Sequence, residues 1–248
     1  MGNIALQLYS IKELTNVDFL GTLEKVAEIG YDGVEFAGYF GTSAKDLRKA
    51  LNDLGLQAAG SHIGISELKA NLDHTIDYSL EIHSPYIICP GLPEEMRDSS
   101  DSYKRTAEQF NRIGERCKEN GIQFGYHNHD IEFQKFDGEY GLDLLMNHTH
   151  SDHLFVELDT FWVEHAGLHS IDFIHQYKER CRVLHMKDMK NKEDKSNIEV
   201  GSGIMDFTSI TAAAKQYKVE WYTVEQEEFD LPQLKSIELS LQYLIGIL

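Results

Sequence analysis

Four short apolar runs in this chain each end on a side chain of metal-ligand type. Phe124-Gly125-Tyr126 leads into His127, and Leu154-Phe155-Val156-Glu157-Leu158 into Asp159. Val183-Leu184 leads into His185, and Trp221-Tyr222-Thr223-Val224 into Glu225. The runs are rich in β-branched and aromatic residues, so they read as buried strands. Polar groups at the ends of four such strands converge on one point only if the sheet is closed or strongly curved. Two carboxylates and two imidazoles suit a divalent ion with mixed nitrogen and oxygen ligands. The chemistry expected first is therefore that of a metal enzyme.

Other polar residues surround this set. Glu157 lies two positions before Asp159, and period-two alternation turns both towards the same interior face. Two carboxylates facing inward need a cation or hydrogen-bond donors, with Lys187 the candidate for a purely structural ion pair. The segment Tyr126-His127-Asn128-His129-Asp130-Ile131-Glu132-Phe133 is the densest group of functional side chains. Any of His127, His129 and Glu132 could bind metal, orient another ligand or touch substrate. Gln7, Glu35 and His62 stand at the ends of earlier strands, as residues that bind sugar hydroxyls do. Trp162 offers an apolar wall for a sugar ring. Glu227 and Glu228 read as a solvated acidic loop. Gly201-Ser202-Gly203 has the look of a phosphate cradle at a helix start, but an N-cap role for Asp206 explains that segment sufficiently.

Strand-like and helix-like segments alternate eight times. The strands are expected at Ile4–Tyr9, Gly33–Phe36, Leu56–Ile63, Tyr86–Cys89, Ile122–Asn128, Leu154–Asp159, Val183–Lys187 and Trp221–Glu225. Between them, Phe19, Leu23, Val26, Ala27 and Ile29 follow the spacing of a helix packed on one face. So do Phe110 with Ile113, and Ile210 with Ala214. Gly30, Gly55 and Gly121 each stand where a helix stops before a strand. Eight units in 248 residues average 31 residues each, which is what a strand–helix repeat needs. These features predict one (β/α)8 barrel domain over residues 1–248, with its active site at the C-terminal ends of the strands. A doubly wound open sheet is the alternative, weakened because no Gly-x-Gly-x-x-Gly follows the first strand.

Composition excludes several partners. A net charge of −18 argues against nucleic acid and against an anionic membrane surface. No apolar run is long enough to cross a bilayer, and no basic, apolar leader opens the sequence. Three widely spaced cysteines fit a reducing cytoplasm better than a disulfide framework. The expected partner is a small molecule, with assembly into a homo-oligomer left open.

Taken together, several motifs carry a resemblance over essentially the whole chain. They are Leu6-Gln7-Leu8-Tyr9-Ser10, Gly33-Val34-Glu35-Phe36-Ala37-Gly38, the Tyr126–Phe133 segment, Leu158-Asp159-Thr160-Phe161-Trp162-Val163, Leu184-His185-x-Lys187-Asp188 and Gly201-x-Gly203-x-x-Asp206-Phe207. The chain resembles the sugar phosphate isomerase/epimerase family, with its xylose-isomerase-like TIM barrel. The resemblance implies a divalent metal, most often manganese, with zinc, cobalt or magnesium as alternatives. The family holds it with Glu, Asp, His and Glu on four strands. Asp159, His185 and Glu225 match the last three, whereas His127 stands where the first Glu is expected. That departure leaves two carboxylates in place of three around a dication, so the site becomes neutral. It also removes half of the symmetric carboxylate pair with which such epimerases trade a proton. The first functional expectation is an isomerase or epimerase that abstracts the α-proton of a keto-sugar through an enediolate. The second is a metal-dependent lyase or dehydratase of a keto-sugar or keto-inositol. A non-catalytic carbohydrate-binding barrel is the third. In the enzymatic readings Glu225 is the base, Glu132 or His127 the opposing acid, and Lys187 a stabiliser of the developing oxyanion.

Overall fold

The computed structural model describes residues 2–248. Eight parallel strands close into a barrel. They are β1 (Asn3–Gln7), β2 (Gly33–Phe36), β3 (Gln57–His62), β4 (Tyr86–Cys89), β5 (Gln123–His127), β6 (Phe155–Asp159), β7 (Cys181–Met186) and β8 (Trp221–Val224). Each strand pairs with its neighbours in sequence, and β1 pairs with β8, from Asn3 opposite Trp221 to Leu6 opposite Val224, to close the ring. The expected strands all form. The boundaries differ most at two strands: β7 begins two residues early, at Cys181, and β1 ends two residues early, where Leu8–Ile11 leaves the sheet as a 3₁₀ turn because the Gln7 side chain accepts the Tyr9 N–H.

The principal outer helices are α1 (Phe19–Ile29), α2 (Ala44–Leu54), α3 (Ile65–Glu81), α4 (Ser100–Glu119), α5 (Gly141–Asn147), α6 (Ser170–Tyr177), α7 (Phe207–Ala214) and α8 (Gln233–Ile247). The expected stop signals hold at Gly30 and Gly55, which cap α1 and α2 with left-handed φ of 106° and 70°. After α4 the cap is Asn120, and Gly121 follows it with φ of 79°. Asp206 caps α7 by accepting the Ser209 N–H. No helix among the described residues is long and apolar enough to cross a membrane.

Alternation along the strands separates two apolar regions. Leu6, Ile87, Val156, Leu184 and Tyr222 face outward and join the large core under the helices. Ala5, Ala59, Tyr86, Ile88, Phe155, Val183 and Trp221 form a smaller cluster that fills the barrel floor. Inward positions turn polar towards the C-terminal ends. Phe155 is followed at period two by Glu157 and Asp159, Val183 by His185 and Lys187, Trp221 by Thr223 and Glu225, and Ala5 by Gln7. The floor thus supports a stack of polar side chains from below, with helices excluding water from the sides.

Candidate active site

His127 on β5, Asp159 on β6, His185 on β7 and Glu225 just after β8 meet at the top of the barrel. Each offers a ligand atom, and these atoms lie within 4.8 Å of one another. All four side chains are buried. Four ligands at about 2.1 Å from one ion in a tetrahedron stand about 3.4 Å apart, so only small adjustments separate this group from a coordination shell. Asp159 is held in place by its neighbours. Its backbone N–H donates to Asn128 Oδ1 (3.0 Å), and its Oδ1 caps the short helix Thr160–His165 by accepting the Trp162 N–H (3.1 Å). Its other oxygen, Oδ2, is buried without a hydrogen-bond partner and stands 3.9 Å from His127 Nε2. A bare buried carboxylate oxygen is costly, and a divalent ion at this point would satisfy it. The residues present therefore fit such an ion.

A second polar layer lies directly beneath. Glu157 Oε2 stands 2.6 Å from His62 Nε2, 3.1 Å from His127 Nδ1 and 3.3 Å from His185 Nε2. Glu35 Oε2 lies 2.7 Å from His185 Nε2 and accepts from Gln7 Nε2 at the same distance. Burial works against charge on Glu157, but the surrounding imidazoles and their hydrogen bonds outweigh it and hold the carboxyl well below the usual range. Burial, together with the Glu157 charge, pushes Glu35 up to about 7. Burial and the neighbouring His185 keep His127 well below the ordinary imidazole value, so it is a neutral, ligand-ready ring. Burial likewise pushes Asp159 up to about 6, against the pull of Lys187. Glu225 is buried too, yet Lys187 and His185 hold its carboxyl well below the ordinary value.

Lys187 is buried beside the upper layer. Its Nζ reaches Glu227 Oε1 at 2.5 Å, Glu225 Oε2 at 3.4 Å and Asp159 Oδ2 at 3.8 Å, and it lies 5.0 Å from the Trp162 ring centroid. Lys187, the ion-pair candidate for both Asp159 and Glu157, thus stands by Asp159 and Glu225, and Glu157 pairs with histidines instead. Above the four ligand groups opens a cavity of about 320 Å³ lined by Tyr9, Ala37, His62, Pro90, His127, His129, Glu225 and Glu227. Of the expected substrate contacts, His62 and His129 line it. Gln7 and Glu35 do not, because they sit one layer lower, and Lys187 lies behind Glu225. Trp162 lines an adjoining groove with His165, Asn197 and Glu227. Burial and the charge on Lys187 lower His129 to about 4, so it faces the cavity as a neutral ring.

Glu132 departs from expectation. It accepts from Tyr126 Oη and from the His129 N–H, each at 2.8 Å, and is buried there. The physical reason is alternation on β5. His127 points inward while Tyr126 points out towards Phe110 of α4, and Glu132 follows Tyr126. It serves as a brace for the loop and reaches neither the ligand group nor the cavity. Sequence reasoning also missed Tyr9 and Glu227 as cavity residues. The same period-two step that links Glu225 to Glu227 was the available signal for the second. The Gly201–Gly203 loop has no room for a phosphate in its cradle. The backbone N–H groups of Met189, Gly201, Gly203 and Met205 all donate to the Asp188 carboxylate, at 2.8–3.1 Å. A Cβ on Gly203 would stand 2.2 Å from Met189 O, so the loop packs tightly around its own anion.

The barrel topology and the four converging strand ends have counterparts in known proteins. Residues 23–246 match the family model described as xylose isomerase-like TIM barrel. The chain belongs to that family. Among solved structures, this xylose isomerase-like barrel is similar to a sugar phosphate isomerase/epimerase from Parabacteroides distasonis ATCC 8503. The two share 28% identity with a TM-score of 0.85, covering 98% of this chain and 93% of the other. Its fold also matches the IOLI protein with a bound zinc atom, at a TM-score of 0.78 and 14% identity, over 100% of this chain and 98% of that one. Among curated proteins it is 23% identical over 245 residues to inosose dehydratase of Geobacillus kaustophilus (strain HTA426), covering 83% of this chain and 79% of the relative.

Proposed function

We propose that this barrel is a divalent-metal-dependent enzyme that removes the proton α to the carbonyl of a polyhydroxylated ketone, giving an enediolate. The observation that carries the reading is the bare Asp159 Oδ2 facing His127 Nε2, with His185 and Glu225 closing the same point. His127, Asp159, His185 and Glu225 would hold the ion, manganese or zinc by the mixed donor set. Such an ion polarises a carbonyl and lowers the pKa of the adjacent C–H. Glu225 is the base: it lines the cavity and Lys187 holds it ionised, so a carboxylate oxygen is available at the α-carbon. Lys187 acts through Glu225 and Asp159 and does not touch the substrate.

Two outcomes can follow the enediolate, and a specific arrangement favours one. Isomerisation or epimerisation returns a proton to carbon, which a matched pair of carboxylates does best. Here the groups across the cavity from Glu225 are His62 and His129, on or just after strands three steps round the barrel in either direction. Burial opposes protonation of His62, but Glu35 and Glu157 outweigh it and raise its pKa, which suits a donor to a departing hydroxyl. This asymmetry supports dehydration of a keto-inositol or keto-sugar, and the inosose dehydratase relatives support the same reading. Isomerisation or epimerisation stands second, supported by the sugar phosphate isomerase/epimerase neighbour. The cavity wall carries two glutamates and neither Lys nor Arg, which supports a neutral substrate. The three buried, unpaired cysteines fit a cytoplasmic setting.

The test is incubation of the metal-loaded protein with inososes and keto-sugars in D₂O. An unsaturated or dehydrated product supports elimination, and deuterium in an isomeric product supports proton return. Glu225→Gln should leave the fold intact and lower kcat by about 10²–10⁴ when assayed at saturating metal. Metal-independent turnover, or α-proton exchange at the wild-type rate in that variant, would refute the assignment.

A further inference from the structure

We infer that the groove beside the cavity is a second carbohydrate subsite, so that the preferred substrate is a polyhydroxylated ketone carrying a further, neutral sugar ring. The inference rests on the functional reading above and names the substrate class of that site. The cavity over the ligand group measures about 320 Å³ and the groove about 490 Å³. Sites for small organic molecules span about 300–1,000 Å³. The cavity alone thus suits one sugar ring, and the two spaces together suit two. They share a wall. Glu227 lines both. His129 on the cavity side packs against Trp162 on the groove side, with ring centroids 5.6 Å apart. Lys187 links the two spaces, because its ammonium contacts Glu225 in the cavity and Glu227 on the dividing wall.

Three successive loops at the barrel mouth build the groove, on the face where such barrels bind their ligands. After β6, the helix Thr160–His165 supplies Trp162 and His165, and Asp159 fixes its start by accepting the Trp162 N–H. Phe161 and His165 stand edge-on to the indole, at 4.9 and 5.1 Å between centroids. After β7, a hairpin pairs Asp188–Met189 with Asn197–Ile198 and brings Asn197 to the groove. After β8, Glu227 and Glu228 clamp that residue. Asn197 Oδ1 accepts the Glu227 N–H at 3.1 Å, and the Asn197 N–H donates to the Glu228 carboxylate at 3.0 Å. With Oδ1 taken, the Nδ2 amino group is the free donor and has no partner among the described residues. An indole plane beside a fixed amide and carboxylates matches a pyranose, which carries C–H groups on its faces and hydroxyls at its rim. The charge pattern opposes an anionic substituent. Asp194, Glu227 and Glu228 line the groove against one cation, Lys195, whose ammonium already donates to the His165 carbonyl at 2.8 Å. A phosphate or uronate placed here would meet mostly like charge.

The test is tryptophan fluorescence titrated with glucose, maltose and cellobiose, none of which presents a ketone. The chain has two tryptophans, and Trp221 is buried in the barrel floor, so a response to sugar reads Trp162. At least one disaccharide should change the emission saturably and bind at least about tenfold more tightly than glucose, a lower bound for the contacts of a whole second ring. Trp162→Phe should remove the response. Asn197→Ala should weaken disaccharide binding by about 3–10-fold in calorimetry, the loss of one hydrogen bond. Equal affinity for glucose and both disaccharides, or a response that persists in Trp162→Phe, would overturn the inference, as would the absence of any response. If a variant does not fold, the comparison of the three sugars on the wild-type protein still decides. The titration needs no turnover. Disaccharide binding without activity on any ketone would sink the functional reading and leave the subsite standing, and turnover of free inososes without disaccharide binding would do the reverse.

Discussion

Replacing Lys187 by Met should unlock a competition between an internal cation and a divalent ion. Lys187 Nζ lies 3.4 Å from Glu225 Oε2 and 3.8 Å from Asp159 Oδ2, and all three side chains are buried. At an effective dielectric constant of about 20, each contact is worth ~4–5 kcal/mol of gross attraction. Most of that offsets the cost of burying the ammonium, so the sum is no measure of the net effect. Breaking a buried pair by removing one partner costs about 3–5 kcal/mol, because the remaining charge stays buried and unpaired. The third contact, to Glu227, adds little because that carboxylate is partly exposed. For a domain of this size the loss corresponds to a fall in Tm of roughly 6–20 °C. The divalent ion should then recover more stability in Lys187→Met than in the wild type, since it supplies the positive charge the lysine gave. Thermal scans with and without saturating Mn²⁺ or Zn²⁺ measure both effects. A metal-free variant destabilised by less than about 1 kcal/mol would refute the reasoning. So would an equal metal-induced shift in Tm for the two proteins.

Other perturbations read different parts of the molecule. Asp159→Ala should abolish metal retention after desalting, measured by elemental analysis, because one carboxylate and two imidazoles hold a hard divalent ion poorly. Gly114→Ala should destabilise the protein while leaving metal affinity unchanged. A Cβ there would stand 1.8 Å from the His153 carbonyl oxygen, and such overpacking costs about 1–3 kcal/mol. Burial pushes the Cys89, Cys117 and Cys181 thiols up to about 12, so almost no thiolate exists in the folded state below that pH. A thiol reagent at pH 8 should therefore leave all three unlabelled until denaturant is added, and rapid native labelling would contradict their packing.

The strand ends were legible because hydrophobicity and β-branching announce a buried strand, and the residue that follows is the one at the barrel mouth. That placed His127, Asp159, His185 and Glu225 on the correct end of the correct elements. The height of each side chain was not legible. Gln7 ends its strand as His127 does, and Glu35 lies one residue before the end of its own, yet both stand a layer lower, because inter-strand stagger and the bulge at Val34/Glu35 set the level. Neither is encoded locally. The partners of Glu157 were hidden for a related reason. Alternation turned it inward, but His62, His127 and His185 reach it from three other strands, up to 95 residues away in sequence. Glu132 misled because proximity in sequence to His127 and His129 is not proximity in space when a 3₁₀ turn carries the carboxylate outward.

The Asp188 carboxylate inside the Gly201–Met205 loop bears on which molecules the barrel can select. A tethered group competes with free solutes at an effective concentration of about millimolar or more. Any phosphorylated metabolite would have to outcompete an anion that never leaves and that already engages four amides. Displacing it would also strand a buried negative charge beside the newcomer. The loop therefore acts as an occupied receptor, selective by pre-emption: evolving an appetite for phosphate here would require losing Asp188 first, and with it the strut that holds the loop to the strand below.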